Sequence, residues 1–81
     1  KMWIVYDWSD GLIGIFNDYE KAEKEYEEYK KHNKEQVDGE FDGGEEVILA
    51  KIDKRFYVYD TKKPVPSSTG NTFWKWKEDK F

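Results

Sequence analysis

The chain has 81 residues, a formal net charge of −4 and charged side chains at 40% of its positions, which indicates one small domain with a heavily solvated surface. Aromatic residues make up 19% of the chain, and their large apolar areas make a core possible although only 37% of the residues are hydrophobic. The chain contains no cysteine, which excludes a disulfide framework, a thiol nucleophile and a cysteine zinc site, and no stretch approaches the ~20 apolar residues of a membrane span.

The N-terminal segment predicts a β-hairpin. Residues 2–8 are aromatic and β-branched, residues 12–16 are apolar, and Asp10-Gly11 between them is typical of a two-residue type I′ turn. Both faces of the hairpin are largely apolar, so we expect both to be at least partly covered. One face carries Ile4, Tyr6, Trp8, Ile13 and Ile15, and the other carries Trp3, Val5, Asp7, Leu12, Gly14 and Phe16.

Residues 17–34 predict the one long amphipathic helix. Asn17 with Glu20 forms a capping box, Asp18 is a competing cap, and Asn33 is a plausible stop residue. An apolar stripe with helical spacing runs along this segment and consists of Tyr19, Ala22, Tyr26 and Tyr29.

The second half of the chain predicts a loop and two more strands. Residues 35–46 are rich in glycine and acidic residues and are typical of a loop, whereas residues 47–52 and 55–60 are typical of strands. Asp53-Lys54 between the strands contains no glycine, so either a hairpin turns there or one long strand bends there. We favour the hairpin.

The element order predicts an α+β fold, with one antiparallel sheet of four to five strands in the order ββα-ββ-β and one amphipathic helix packed on one face. Residues 1–60 form the predicted ββαββ core domain. Residues 61–72 are rich in proline, serine and glycine and are predicted to be a linker loop. Residues 73–81 form a short tryptophan-rich strand that we expect to pack on the core.

The charge distribution predicts an acidic binding surface. Residues 17–46 hold twelve acidic side chains against five lysines, whereas residues 47–81 carry a net charge of +4. Such a surface fits a host protein with a basic patch, and in its sharpest form it imitates DNA phosphates and inhibits a DNA-binding protein. The simpler interpretation is a solvated face that keeps the protein in solution. The candidate acidic residues are Glu20, Glu23, Glu27, Asp38, Glu40 and Asp42.

Trp74 and Trp76 form a second candidate site. They alternate with Lys75 and Lys77, a pattern that suits core packing, contact with a protein, or stacking of single-stranded nucleic-acid bases. The acidic balance of the whole chain makes direct nucleic-acid binding the least favoured of the three.

Nothing in the sequence predicts a metal, a cofactor or an enzyme. Residues 38–43 match the front of an EF-hand loop, but the glutamate required at its twelfth position falls on Leu49. His32 is the only histidine, and no partner for a catalytic triad or a metal cluster can be named. We therefore expect a non-enzymatic protein.

Residues 2–60 resemble small acidic hypothetical proteins of bacteriophages that infect Gram-positive hosts. The resemblance rests on the D-G turn, the sequence LIGIF, the capped helix with Tyr-x-x-Ala and the acidic loop before an apolar strand. It implies a phage-encoded inhibitor or modulator of a host protein, acting in the host cytoplasm. The apolar N-terminal stretch carries Asp7 and alternates like a strand, so we expect no signal peptide. An unpaired edge at the second or last strand predicts a possible homodimer.

Overall fold

The computed structural model describes residues 1–36 and 39–81, and within them the chain forms one helix and five strands in two antiparallel sheets. The predicted α+β fold is confirmed, although the strands divide between two sheets instead of forming one. The three-stranded sheet has the order β2-β1-β3, and the two-stranded sheet pairs β4 with β5. The elements are β1 (Trp3–Asp7), β2 (Gly11–Phe16), α1 (Tyr19–Glu35), β3 (Val47–Lys51), β4 (Lys54–Pro64) and β5 (Thr72–Lys80).

The turn between β1 and β2 is longer than predicted. Asp7 pairs with Gly11, so three residues separate the strands, and the two-residue turn expected at Asp10-Gly11 does not form. The Asp7 carboxylate is the reason, because its Oδ2 accepts the backbone N–H groups of Ser9 (3.0 Å) and Asp10 (2.9 Å) and holds the wider turn. Gly11 leaves this turn with a φ of +82°, which glycine adopts without strain.

A bulge in the same hairpin changes the face on which one predicted core residue lies. Val5 pairs with Gly14 and Tyr6 pairs with Leu12, so Ile13 is the extra residue of the bulge. Leu12 therefore lies on the face of Tyr6 and not, as predicted, on the face of Val5.

Helix α1 begins and ends one or two residues later than predicted. Asp18 is its N-cap, and its Oδ1 accepts the backbone N–H of Glu20 at 2.9 Å, so the cap predicted at Asn17 is wrong and the competing cap is correct. The helix continues past Asn33, the predicted stop residue, to Glu35. The Asn33 side chain instead connects α1 to the β1–β2 turn. Its Nδ2 donates to the Tyr29 carbonyl at 2.7 Å and to Asp7 Oδ1 at 2.9 Å.

The core lies between α1 and one face of the three-stranded sheet. Val5 and Ala22 are fully buried there, and the Trp3 ring meets the Tyr19 ring edge-on at 5.4 Å between centroids. The other face of this sheet is open, since Leu12 and Ile15 are each 57% exposed. Ile4 and Tyr6 of β1 are half-buried on this face, so the expectation that both faces of the first hairpin are at least partly covered holds for β1 but not for β2.

β3 and β4 form one long extended strand, and the hairpin favoured at Asp53-Lys54 is wrong. Ile52 N–H donates to the Met2 carbonyl at 2.8 Å, and the Asp53 carbonyl accepts Phe81 N–H at 2.9 Å. Because consecutive residues of an extended strand direct their backbone groups to opposite edges, β1 and β5 lie on opposite edges of it. Eighteen residues from 47 to 64 span about 60 Å at ~3.3 Å per residue, which matches the 62 Å length of the molecule.

The paired strands β4 and β5, here called the β4–β5 arm (residues 54–80), project from the rest of the chain, here called the body (residues 1–53). Neither strand of the arm packs against α1 or against the three-stranded sheet. The radius of gyration is 19.0 Å, against about 12 Å for a compact domain of this length. Residues 61–64 of the predicted linker belong to β4, and the tryptophan-rich segment pairs with β4 instead of packing on the core.

We predict that Asp7→Ala lowers the free energy of unfolding by about 2 kcal/mol, because it removes three hydrogen bonds to a charged group at the junction of α1 and the β1–β2 turn. Urea unfolding followed by circular dichroism measures this change. Ser9→Ala is the matched control in the same turn, and we expect a change within about 0.5 kcal/mol. Equal effects of the two substitutions would show that the carboxylate does not hold this junction.

The same carboxylate predicts a pH dependence. Burial raises the pKa of Asp7, but the hydrogen bonds from Asn33 and from the backbone of Asp10 and Ser9, together with the charge of His32, outweigh it and hold the pKa below its usual value. A carboxyl whose pKa falls on folding stabilises the native state above its unfolded pKa of about 3.9, and this contribution disappears as the pH falls through the lower native value. The stability difference between wild type and Asp7→Ala should therefore be full near pH 6 and shrink below about pH 4. A difference that grows on acidification contradicts the assignment.

Candidate functional site

One face of the β4–β5 arm, here called the aromatic face, consists of exposed apolar side chains. The register pairs Val58 with Trp76 and Asp60 with Trp74, and it brings Phe56 diagonally beside Trp76. The Phe56 and Trp76 rings stack at 4.9 Å with an interplanar angle of 7°. Trp74 remains 59% exposed, Trp76 63% and Phe56 65%, so stacking orders these rings without burying them.

The opposite face of the arm, here called the cationic face, combines tyrosine rings with basic groups. The Arg55 guanidinium lies 3.7 Å from the centre of the Tyr57 ring, and Lys77 Nζ lies 5.3 Å from the rings of both Tyr57 and Tyr59. The Tyr57 hydroxyl donates to Asp79 Oδ2 at 2.8 Å. Hydrogen bonding to Tyr57 raises the pKa of Lys77 above its usual value, so this lysine stays charged.

The end of the arm is shaped by a bulge. Lys62 has a φ of +63°, and the pairing of β4 with β5 shifts register between Asp60 and Pro64. Asp60 Oδ1 accepts Lys62 N–H at 2.8 Å, and Thr61 Oγ1 donates to the Phe73 carbonyl at 2.8 Å. The side chain of Thr72 and the Lys62 N–H lower the pKa of Asp60, so its carboxylate stays charged while it holds this bend.

The arm and the body have opposite charge. The arm holds seven basic and three acidic side chains, a net charge of +4. The body holds fifteen acidic and seven basic side chains, a net charge of −8. Since the molecule is 62 Å long and the charges divide along that length, it carries a large electric dipole.

The five predicted acidic residues that the structure describes do not form one cluster. Glu20, Glu23 and Glu27 are exposed along α1, and Glu27 Oε2 pairs with Lys30 Nζ at 3.2 Å. Glu40 and Asp42 are exposed in the loop that follows the other end of α1, and about 22 Å of helix separates that end from Glu20. Asp38 lies outside the described residues.

The loop acids are partly engaged within their own loop. Asp42 N–H and Gly43 N–H donate to the Glu45 carboxylate at 2.9 and 3.0 Å, and Gly44 N–H donates to Asp42 Oδ1 at 2.8 Å. The Asp42 and Gly43 N–H groups lower the pKa of Glu45. These carboxylates therefore stabilise a local turn, which leaves fewer of their lone pairs for a partner.

Small-molecule and metal sites receive little support. A cavity between the β1–β2 turn and the acidic loop has a volume of about 140 Å³, below the ~300 Å³ at which ligand pockets begin. A larger cleft of about 380 Å³ lies between the same turn and α1, but it lacks the apolar lining of a typical ligand pocket. Its lining residues are Asp10, Glu25, Glu28, Tyr29 and His32. In the described part of the chain, no three histidine or acidic side chains come together as a metal site would require. The helix of the described structure is too short and too polar to cross a membrane.

A scan against protein-family models gives no match, and searches of the curated proteins and of the solved structures give no significant match. The resemblance to small phage proteins therefore stays a prediction.

Of the two predicted sites, only the tryptophan site comes together in the described structure, where Trp74 and Trp76 share one face of the arm. The arm adds two residues to this site that the sequence analysis missed, Phe56 and Val58. Residues 55–60 and 73–77 are both rich in aromatic side chains, and they flank a segment rich in proline and serine. Two strand-like segments on either side of a turn-rich segment are a sequence signal for a hairpin, and this signal could have identified the β4–β5 arm.

We predict that Tyr57→Phe lowers the protection of the β5 backbone amides against hydrogen exchange by about 1 kcal/mol, because it removes the hydrogen bond to Asp79. The amides of β1 should not change, since the arm does not pack against the body. Tyr59→Phe is the matched control, because Tyr59 meets Lys77 through its ring. Equal loss of protection in β1 and β5 would show that body and arm unfold together.

Proposed function

We propose that this protein is a non-enzymatic protein-binding module that binds its partner through the aromatic face of the β4–β5 arm. The observation that carries the proposal is the exposure of Phe56, Trp74 and Trp76 on a strand pair that the body leaves uncovered. Exposed aromatic clusters of this kind are enriched where proteins bind proteins, because each ring buries a large area at a small entropic cost.

The charges beside the tryptophans favour a protein over single-stranded nucleic acid. Nucleic-acid grooves place stacking rings and phosphate-binding cations on the same surface. The register instead places Arg55, Lys75 and Lys77 on the cationic face, on the far side of the strands from Trp74 and Trp76. The charged residues that share the tryptophan face are two basic and two acidic, namely Lys54, Lys80, Asp60 and Glu78. An apolar patch ringed by balanced charge suits a protein surface.

The acidic surface of α1 gives weaker support to a DNA mimic. Its lysines are interleaved with its glutamates, and Glu27 is already paired with Lys30. A phosphate mimic needs an unbroken row of negative charge, so this surface suits solvation better. If the phage resemblance holds, the partner is a cytoplasmic protein of a Gram-positive host, and the module inhibits or modulates it.

We predict that the double variant Trp74→Ser, Trp76→Ser loses the partner that the wild-type protein captures from a lysate of a Gram-positive bacterium. A partner bound through aromatic rings should survive a high-salt wash, because salt screens exposed charge pairs and strengthens apolar burial. The measurement is the amount of each captured protein, by mass spectrometry, at low and high salt.

Two variants serve as controls. Leu12→Ser with Ile15→Ser removes similarly exposed apolar side chains from the body, and the triple reversal Glu20→Lys, Glu23→Lys, Glu27→Lys removes the acidic helix face. Both should retain the partner. Loss of the partner with the charge reversal, and not with the tryptophan variant, would move the site to the acidic surface and favour a DNA mimic.

A further inference from the structure

We propose that the protein forms a two-fold symmetric homodimer in which the outer edge of β4 pairs with the same edge of a second copy. The proposal goes beyond the proposed function, because it concerns the backbone edge of the arm and not the aromatic face. Since the Asp53 carbonyl accepts Phe81 N–H, the odd-numbered residues of β4 up to Tyr59 point their backbone groups toward β5. The even-numbered residues Lys54, Phe56, Val58 and Asp60 therefore point theirs to the outer edge, where no described strand pairs.

The outer edge is bounded at both ends. On the body side it ends at Ile52, whose N–H is taken by the Met2 carbonyl of β1. On the tip side it ends at Lys62, where φ is +63° and the ladder shifts. The midpoint between Ile52 and Lys62 is Tyr57. If two copies pair antiparallel along the whole stretch between Ile52 and Lys62, the two-fold axis lies beside Tyr57.

This register is self-complementary. It places Lys54 opposite Asp60 of the second copy, and by symmetry Asp60 opposite its Lys54. It also places Phe56 opposite Val58, twice. Opposite charges and apolar pairs directly across two strands both stabilise a sheet. A shift by two residues would set Lys54 opposite Lys62 or opposite Val58, and the charge pairs would be lost.

The pairing supplies what the arm lacks. An isolated two-stranded ribbon is only marginally stable in water, whereas the dimer forms a four-stranded sheet in the order β5-β4-β4-β5. The two aromatic faces become one surface on the same side of that sheet, with the Trp76–Phe56 stack of each copy flanking the axis.

The charges of the whole molecule favour the same arrangement. In the antiparallel pairing the arm of each copy runs toward the body of the other copy. The arm carries +4 and the body −8, so the two ends attract each other as the copies approach.

The register is tested by a single introduced thiol, because the chain contains no cysteine. In the proposed dimer, position 57 lies opposite itself in a non-hydrogen-bonded pair, where the Cα atoms are about 4.5 Å apart and a disulfide fits. Position 59 is about 13 Å from its own copy at ~3.3 Å per residue. Under mild oxidation of the full chain at micromolar concentration, Tyr57→Cys should run as a covalent dimer on a non-reducing gel and Tyr59→Cys as a monomer. Absent or equal cross-linking of the two variants would overturn the proposal.

A charge swap provides an independent test. Lys54→Glu alone creates two acidic pairs in the dimer, and Asp60→Lys alone creates two basic pairs, so each variant should dimerise at least tenfold more weakly than wild type in sedimentation equilibrium. Mixing the two variants restores both attractive pairs and should recover the dimer. Lys80→Glu, which makes the same charge change on β5 directly across from Lys54, should dimerise like wild type.

Failure of the mixture to recover, with both variants folded by circular dichroism, would overturn the register. If Asp60→Lys loses its fold because Asp60 holds the bulge, the cross-linking pair still decides the question. A wild-type chain that stays monomeric at millimolar concentration would overturn the dimer itself, whatever partner the aromatic face captures.

Discussion

The architecture depends on one backbone constraint, which acts between Ile52 and Asp53. An extended chain directs the N–H and C=O groups of consecutive residues to opposite edges. Because Ile52 pairs with β1, the backbone groups of Asp53 point to the other edge, where the Asp53 carbonyl accepts the N–H of Phe81. One strand therefore serves two sheets that never overlap. This switch of partners explains the length of the molecule and the separation of the arm from the body. It also leaves each edge of the long strand paired over only part of its length.

The body compensates for a small core with a polar junction. Only one sheet face is covered, and Val5 and Ala22 are its fully buried apolar residues. Asp7 is also buried, and its carboxylate connects the β1–β2 turn to Asn33 near the end of α1. Trp8 Nε1 donates to Asn33 Oδ1 at 3.0 Å and extends the same network. The fold is thus fixed at the C-terminal end of the helix by directional bonds, and nearer its N-terminal end by the packing of Trp3 on Tyr19.

The elements were predictable because their signals are local. The tyrosine stripe predicted the helix, and runs of aromatic, β-branched and apolar residues predicted the strands. The partners of the strands were not predictable, because the sequence around Asp53-Lys54 does not say to which edge a strand will bind. Asp53-Lys54 contains neither glycine nor proline, which is consistent with the extended chain that the structure has there. The tryptophan pair was found as a candidate site, but Phe56 and Val58 become its neighbours only through the register of β4 with β5.

The unpaired edge of β4 is a place where further strands could add. Long, flat, apolar edges add further strands without limit, and native proteins prevent this with short edges, charges and bulges. This edge has all three features. It is short because β1 limits it at one end and the bulge at Lys62 at the other, and it carries opposite charges near its ends, at Lys54 and Asp60. Once a second copy occupies it in the centred register, that edge is used up on both copies. A two-fold contact of this kind uses the same edge on both copies, so no further copy can add at that edge. The short length of the edge therefore limits it to one partner.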